Sequence, residues 1–498
     1  MIGKPLNTVK TQLHRARLQL KAKLEGSMQR TIQQQEVNGM FQQMALQYVS
    51  VPASFSLAIE HIDENEATFV WKQNDIEEGY YIKVNRQGKL LSLSQPVQLT
   101  EERKSTDELQ MIAEQFMTTQ YADALDYFTL QEVKAKETSD RFYYKQLVAS
   151  VPLLGSWCTI EVAHDGQLIN FEYRPYVVTP PHVPATLAET APILQQLHNA
   201  NWTTELQYIS SNYYDVAQSG LYVVYHSTFL YHSFDAQTGN DLSHHDEEIE
   251  EIEETYVPLR VVACDERHTT LENIIGVPPS MVRIRETDID DDCIGIVWRD
   301  ETYEQPTDKS MEQFLFDRFE ETLKATVHKE TGELRGFVWF KERAGNLSLH
   351  YAQCEDIALR FIQTYYAPFV PYLRMEVKES TVERRHAFFH FALFVDETIV
   401  QGEFFRLSVN KKTGFVDMLM APRLSASVLH AFCKQPLMPL EEAKHALCDV
   451  EAQLEWDKRY ELDDPVDMLI YRFKHRGSGN RVQCIDAVSG QLIVSTEW

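Results

Sequence analysis

The sequence predicts an α+β protein: two tandem copies of a module that joins helix to antiparallel sheet, preceded by an isolated basic N-terminal helix. Three observations predict it. The chain has 498 residues, 44% hydrophobic and 11% aromatic, a globular composition with room for about three domains of roughly 150 residues. Beyond residue 50, alternating apolar and polar runs rich in Tyr, Phe, Val and Thr read as strands. Six of these runs end at glycine turns, and the spacing of the turns repeats along the chain.

The first element is the basic helix, residues 1–26. Lys4, Lys10, Arg15, Arg17, Lys21 and Lys23 stand against the single acid Glu25, in a chain whose net charge is −27. Leu6, Val9, Leu13, Ala16, Leu20 and Leu24 recur at steps of three and four, which puts them on one helical stripe. Pro5 suits the first turn, Asn7 or Thr8 can cap it, and Gly26 suits its end. The opposite face carries Lys10, Gln12, His14, Arg15 and Arg17, long donors able to reach phosphates and base edges together.

The run from Ile2 to Leu20 resembles the end of region 4 in RNA polymerase sigma factors of the sigma-70 family, extracytoplasmic-function type. The matching positions are Gly3, Pro5, Thr8, Val9, Lys10, Leu13, Arg15, Ala16 and Arg17. In that family the pattern forms the recognition helix of a helix-turn-helix. The resemblance therefore implies promoter DNA and RNA polymerase as partners. Thr8, Lys10, Thr11, Gln12, His14, Arg15 and Arg17 would face DNA, and Leu6, Val9, Leu13 and Ala16 would pack on further helices. Met1 falls inside the motif, so the expectation is a truncated remnant lacking the first helix of the helix-turn-helix. A helix that docks on the acidic body instead of on DNA is the alternative.

Residues 27–49, rich in glutamine, read as a helical connector interrupted at Gly39. The body follows as a first copy over 50–240, an acidic linker over 241–256 and a second copy over 257–498. The six turns end at Gly88, Gly166, Gly239, Gly332, Gly414 and Gly490. Most open with Asn or Asp, whose side chain accepts from the backbone of the turn, while glycine supplies the positive φ that closes it. Gly88 to Gly332 spans 244 residues, Gly166 to Gly414 spans 248, and Gly239 to Gly490 spans 251, the drift expected of a duplication with small loop insertions. Helices at Ile112–Phe116 and Ile357–Phe361 repeat at 245, as do Tyr121 and Tyr366, and each helix precedes three strand-like runs. Further helices are expected near 186–199 and 439–454. This order resembles the PepSY-like repeats of the YcdB/YcdC type, a resemblance that implies binding, peptidase inhibition or regulation, carries no catalytic residue across, and leaves the body's protein or peptide ligand unknown.

Between the copies, eight acids lie between Asp241 and Glu254. The run reads as a solvated linker, with masking of the basic helix as the functional alternative. No G-x-S-x-G elbow, H-E-x-x-H helix or Walker loop is present, so no catalytic residue, cofactor or metal is expected. His244–His245 reads as a surface pair. His386 and His390 read as two positions on one face of a strand, and Asp288, Asp290, Asp291 and Asp292 as a solvated turn. No run of 18 apolar residues occurs, and the seven cysteines are scattered without a C-x-x-C pair, so a cytoplasmic protein with no membrane partner is expected. The function expected is a non-enzymatic, transcription-related regulator: a sigma-factor remnant fused to a duplicated body that binds or senses a partner. The alternative is a protein-interaction or peptidase-inhibitor-like module whose sigma remnant is non-functional.

Overall fold

The computed structural model describes residues 39–63, 65–73, 79–97, 100–243, 255–264, 267–290, 292–304, 313, 316, 319–377, 385–459 and 466–496. The basic helix with its seven DNA-facing residues, most of the acidic run and the pair His244–His245 lie outside the described residues. The chain forms two compact units whose main boundary falls between Pro181 and His182.

Unit 1 is one eight-stranded sheet under a helix. Its strands are β1 (Ser56–Ile62), β2 (Glu66–Lys72), β3 (Gly79–Asn85), β4 (Leu90–Ser94), β5 (Phe128–Ala135), β6 (Ser139–Val148), β7 (Val151–Ala163) and β8 (Leu168–Arg174). They are ordered β1-β2-β3-β4-β8-β7-β6-β5, antiparallel throughout. The helix Thr106–Gln120 starts at a capping box between Ser105 and Glu108, which satisfies two backbone donors that a helix start leaves open. Its Leu109, Ala113 and Met117, four apart, are buried against Phe142, Ile160 and Phe171 of the sheet. Residues 39–45 are helical, Gly39 included, and their Phe41 and Ala45 belong to this same core. The described end of the expected connector is thus part of a packed unit, because its apolar positions at i and i+4 find the sheet.

Unit 2 repeats that sheet. The strands β13 (Met281–Asp288), β14 (Cys293–Asp300), β15 (Thr322–His328), β16 (Leu334–Trp339), β17 (Leu373–Glu376), β18 (His386–Val395), β19 (Thr398–Asn410) and β20 (Val416–Met420) run β13-β14-β15-β16-β20-β19-β18-β17. The helix Tyr351–Tyr365 packs Cys354, Ala358, Leu359 and Ile362 onto it. The internal duplication inferred from turn spacing is therefore a duplication of structure. The residue after each helix makes the same bond: Tyr121 Oη donates to the Leu90 carbonyl at 2.6 Å and Tyr366 Oη to that of Leu334 at 2.7 Å. Gly166 and Gly414 sit in the equivalent β7–β8 and β19–β20 turns, and all six repeated glycines have φ between 66° and 94°. In five of the turns an Asn or Asp, the opening residue in four and Asp165 inside the fifth, accepts the backbone N–H two residues on.

Unit 2 also holds β9 (Thr203–Ile209), β10 (Gly220–His226), β11 (Ser233–Asp235), β12 (Tyr256–Pro258), β21 (Val450–Arg459), β22 (Val466–His475), β23 (Val482–Asp486) and β24 (Leu492–Val494). The boundary at 181/182 divides the copy read as 50–240. β9 and β10 follow the first repeat in sequence, yet their backbone groups pair with β19 and β23. The helix expected over 439–454 is also shorter: one helical turn at Leu440–Ala443 passes into a 3-10 stretch ending at Asp449, and Val450 opens β21.

Candidate functional site

Of the irregularities in pairing that both repeats share, the largest lies early in β7 and β19. β6 turns into β7 through Ala149 and Ser150, and β18 into β19 through Asp396 and Glu397, all four with positive φ. Two positive-φ residues are what the tight type I′ hairpin requires, although none of these four is the customary Asn or Gly. Pairing then breaks at the same place twice. In unit 1 it jumps from Leu147–Pro152 to Lys145–Trp157, so Leu153, Leu154, Gly155 and Ser156 stand opposite Gln146 alone. In unit 2 it jumps from Phe394–Ile399 to Ala392–Phe404, leaving Val400, Gln401, Gly402 and Glu403 opposite Leu393. Each is a large bulge, and bulges release backbone groups from the ladder and redirect the chain.

Gly155 and Gly402 take φ of 80° and 75° to make the bend. The next residue is buried and polar in each copy, and it ties down the segment leaving the sheet. Ser156 Oγ donates to Gln146 Oε1 at 2.8 Å; that oxygen accepts the Val177 N–H, and Gln146 Nε2 donates to the Val177 carbonyl. Glu403 accepts the Arg423 backbone N–H at 2.7 Å and its Nε–H at 3.1 Å. The chemistry differs, amide against carboxylate, but both satisfy a buried polar group and anchor an outgoing strap.

What the bulge does is visible in unit 2. Val400 and Gln401 pair in parallel with Leu206 and Gln207 of β9, and Leu206 enters the main core. The outer edge of β17 is likewise covered, by β12. The bulge is thus a receiving edge for an extended segment.

A second arrangement involves the strand sets that follow the repeats. β9 and β10 form a hairpin, as do β21 and β22, but the third strand of each set has changed places. β11 pairs with β22, and β23 pairs with β10. The exchange is reciprocal bond for bond. Ala236 N–H donates to the Leu469 carbonyl and Ala487 N–H to that of Val223. Tyr471 Oη donates to the Ala188 carbonyl at 3.0 Å and Tyr225 Oη to that of Met438 at 2.6 Å.

Among the described residues, the charged candidates read from sequence have partners within the fold. His386 and His390 lie on β18, on one face as expected, and each has its own carboxylate: Asp417 at 3.0 Å and Glu376 at 3.0 Å. Asp417 also accepts from Asn410 Nδ2 and lies 3.4 Å from Arg343 Nε. The Arg343 guanidinium sits 3.5 Å from the Trp339 ring centroid and 4.8 Å from that of Phe415, and burial lowers its pKa to about 10 against the pull of Asp417. Asp290 accepts the backbone N–H groups of Asp292 and Cys293 in the β13–β14 turn. Among the described residues no group of three or more His, Cys, Asp or Glu side chains could hold a metal ion. No described helix is long and apolar enough to cross a membrane.

Sequence reasoning found the repeat but not the bulge. The available signal was Gly155 and Gly402, 247 residues apart, each inside a strand-like run where glycine weakens a regular ladder.

Twice-repeated sheet, twice-repeated bulge and exchanged strands define a tandem-repeat α+β protein that builds its sheets by capturing segments from elsewhere in the chain. The chain belongs to the family described as the YcdB, YcdC repeated domain, whose model matches residues 40–175 and 265–419, the two stretches that carry the eight-stranded sheets. It is 27% identical over 434 residues to the uncharacterized protein YcdB of Bacillus subtilis (strain 168), covering 85% of this chain and 91% of that one. To the uncharacterized protein YcdC of the same organism it is 26% identical over 445 residues, covering 88% and 96%. Among solved structures, the C-terminal domain of Bacillus megaterium YpeB matches at 12% identity with a TM-score of 0.25, covering 41% of this chain and 95% of that one.

Proposed function

We propose that this chain is a non-enzymatic binding protein whose repeats hold extended polypeptide segments as added strands. The observation that supports this reading is the parallel seating of β9 on the bulge at Val400–Gln401. Strand addition gains affinity from main-chain hydrogen bonds and selectivity from alternate side chains. A protein or peptide ligand follows from the same chemistry, and the helix that precedes the sheet in each repeat supports the finer likeness to PepSY modules. A cytoplasmic setting is consistent with seven unbridged cysteines.

The test uses a synthetic peptide with the sequence of residues 201–210, which contains β9, labelled and titrated with the full chain. Saturable binding, lost when Leu154 is changed to lysine, supports the reading; no binding overturns it.

The role in transcription rests on the match of residues 2–20 to sigma region 4. It would add promoter contact through Thr8, Lys10, Thr11, Gln12, His14, Arg15 and Arg17, with RNA polymerase as second partner. A gel shift of the intact chain on double-stranded DNA tests it: binding that falls steeply with salt and is lost on Lys10→Ala with Arg15→Ala supports DNA contact, and no shift at low salt overturns it.

A further inference from the structure

β12 is held differently from β9. β9 sends Leu206, 2% exposed, into the main core. Residues 255–262, which include β12, run along the surface, and each keeps part of its area exposed, up to 92% at Val261. They lie against two elements of unit 2, the outer edge of β17 and the helix Tyr351–Tyr365.

Three kinds of contact hold them. Main chain meets main chain first: Tyr256, Val257 and Pro258 run antiparallel to Glu376, Met375 and Arg374, and the Thr255 carbonyl accepts the Val377 N–H at 2.8 Å. Gln363, on the helix, then grips the backbone from the side. Its Oε1 accepts the Val262 N–H at 3.1 Å and its Nε2 donates to the Arg260 carbonyl at 2.8 Å. An amide that both accepts and donates fixes an extended strand in one register whatever its side chains are. Side chains supply the selection. Tyr256 meets Phe394 edge to face at 5.5 Å between centroids, and Leu259 and Val262 rest on the core. The Arg260 guanidinium is shared by Glu355, 3.2 Å from Nε, and Asp356. A planar fork held by two carboxylates separates arginine from lysine.

We propose that the β17 edge and the Tyr351–Tyr365 helix form a binding site for an extended apolar peptide with one arginine, and that residues 255–262 are its tethered occupant. The ligand class is read from that occupant: an aromatic residue, apolar residues three and six further on, and arginine four further on. The proposal rests on the strand-holding reading above and names a ligand for one edge of it. A separate segment can make each of these bonds, and the tethered one leaves without taking a buried side chain from the core. Surface segments of this kind open locally, below the free energy of global unfolding. Until it opens, the tethered segment competes at an effective concentration of about a millimolar, which sets the affinity a partner needs.

The test titrates a labelled peptide with the sequence of residues 255–262 against the full chain. Arg260→Glu in the chain sets an acid against Glu355 and Asp356 and loosens the tethered segment. The expected result is saturable binding at least tenfold tighter than to the wild-type chain. Adding Glu355→Gln with Asp356→Asn removes that gain, and a peptide with glutamate in place of its arginine does not bind. Val261→Lys, at a side chain 92% exposed, leaves the wild-type affinity unchanged. Hydrogen exchange shows β18 and β19 protected in every variant, and shows residues 255–262 of the wild-type chain exchanging well before those strands. No saturable binding to the Arg260→Glu chain, equal affinity for both chains, binding indifferent to the two carboxylates, or exchange of residues 255–262 only together with β18 and β19 overturns the proposal. If the peptide of residues 201–210 still binds, the proposal alone falls; if neither peptide binds, the strand-holding reading falls with it.

Discussion

Tyr225 Oη, on β10, donates to the carbonyl of Met438 at 2.6 Å across 213 residues of sequence, and Tyr471 returns the bond to Ala188. These two bonds bracket the exchange of β11 and β23. Neither hairpin completes its own small sheet, so residues 182–242 and 439–498 order together. Deleting residues 439–498 is expected to remove hydrogen-exchange protection from β9 and β10 while leaving β2–β8 protected, because unit 1 has its own core. Retained protection in β10 after the deletion would show that the exchange is not required. Tyr225→Phe alone is expected to cost unit 2 about 1 kcal/mol.

Tyr366→Phe should destabilise unit 2 by about 1–2 kcal/mol, since the ring stays packed but the Leu334 carbonyl loses its donor. Tyr121→Phe should do the same to unit 1 through Leu90. Hydrogen exchange resolved by unit tests both: each substitution lowers protection in its own unit and spares the other. In both phenols burial is the main cause of a pKa above the ordinary tyrosine value, so neither contribution changes between pH 5 and 9.

Glu161 sets an acid limit on unit 1. Burial works to raise its pKa, but hydrogen bonds from Ser139, Lys136 and Arg141 outweigh it and hold the carboxyl below the usual range. A carboxylate depressed in the folded state binds fewer protons there than in the unfolded chain. Its stabilisation is complete above about pH 4.3, the unfolded value, and is lost as pH falls through the lower folded value. Glu161→Gln should cost about 2 kcal/mol at pH 7. It should also flatten the acid limb of a urea-midpoint-against-pH curve, and a variant with the wild-type slope would contradict this assignment.

The β6–β7 turn invites improvement. Ala149 and Ser150 hold φ of 54° and 64°, which costs side chains with a Cβ and suits Asn-Gly. The double change Ala149→Asn, Ser150→Gly should raise stability by about 1 kcal/mol, read as a higher denaturation midpoint in unit 1. At Asp396–Glu397 the same change removes the Arg374–Glu397 ion pair, so a smaller gain is expected there.

Gly402 tests the bulge itself. Its φ is 75° and a Cβ there would meet nothing within 4 Å, so Gly402→Ala isolates the backbone cost, about 1–2 kcal/mol. The loss should appear first as faster exchange in β9, the strand the bulge carries.

Local chemistry was legible in the sequence wherever a residue's own preference decides the structure. Asn85, Asp235, Asn410 and Asp486 open their turns and Asp165 braces its own through their side chains, the repeated glycines close them, and the Leu109–Ala113–Met117 face follows from helical spacing. The 244–251 spacing of the turns carried the duplication, because a copied turn keeps its glycine while loops drift. The β6–β7 hairpin was not legible, since Ala149 and Ser150 carry no turn signal and the long flanking strands impose the geometry on them. The bulge announced itself only as two glycines inside strand-like runs.

What the sequence determined by itself, then, is the six glycine turns, the amphipathic helix that leads each repeat and the fact of two copies, all carried by the preferences of near neighbours. Which strand lies beside which was decided by the tertiary structure. β11 and β23 trade places, and β9 joins β19, because backbone hydrogen bonding is blind to side-chain identity and any edge of suitable pitch can serve. Only the packing of Leu206 into its core, and the anchoring of Ser156 and Glu403 beneath the bulges, selects one pairing from the many that the alternating pattern allows.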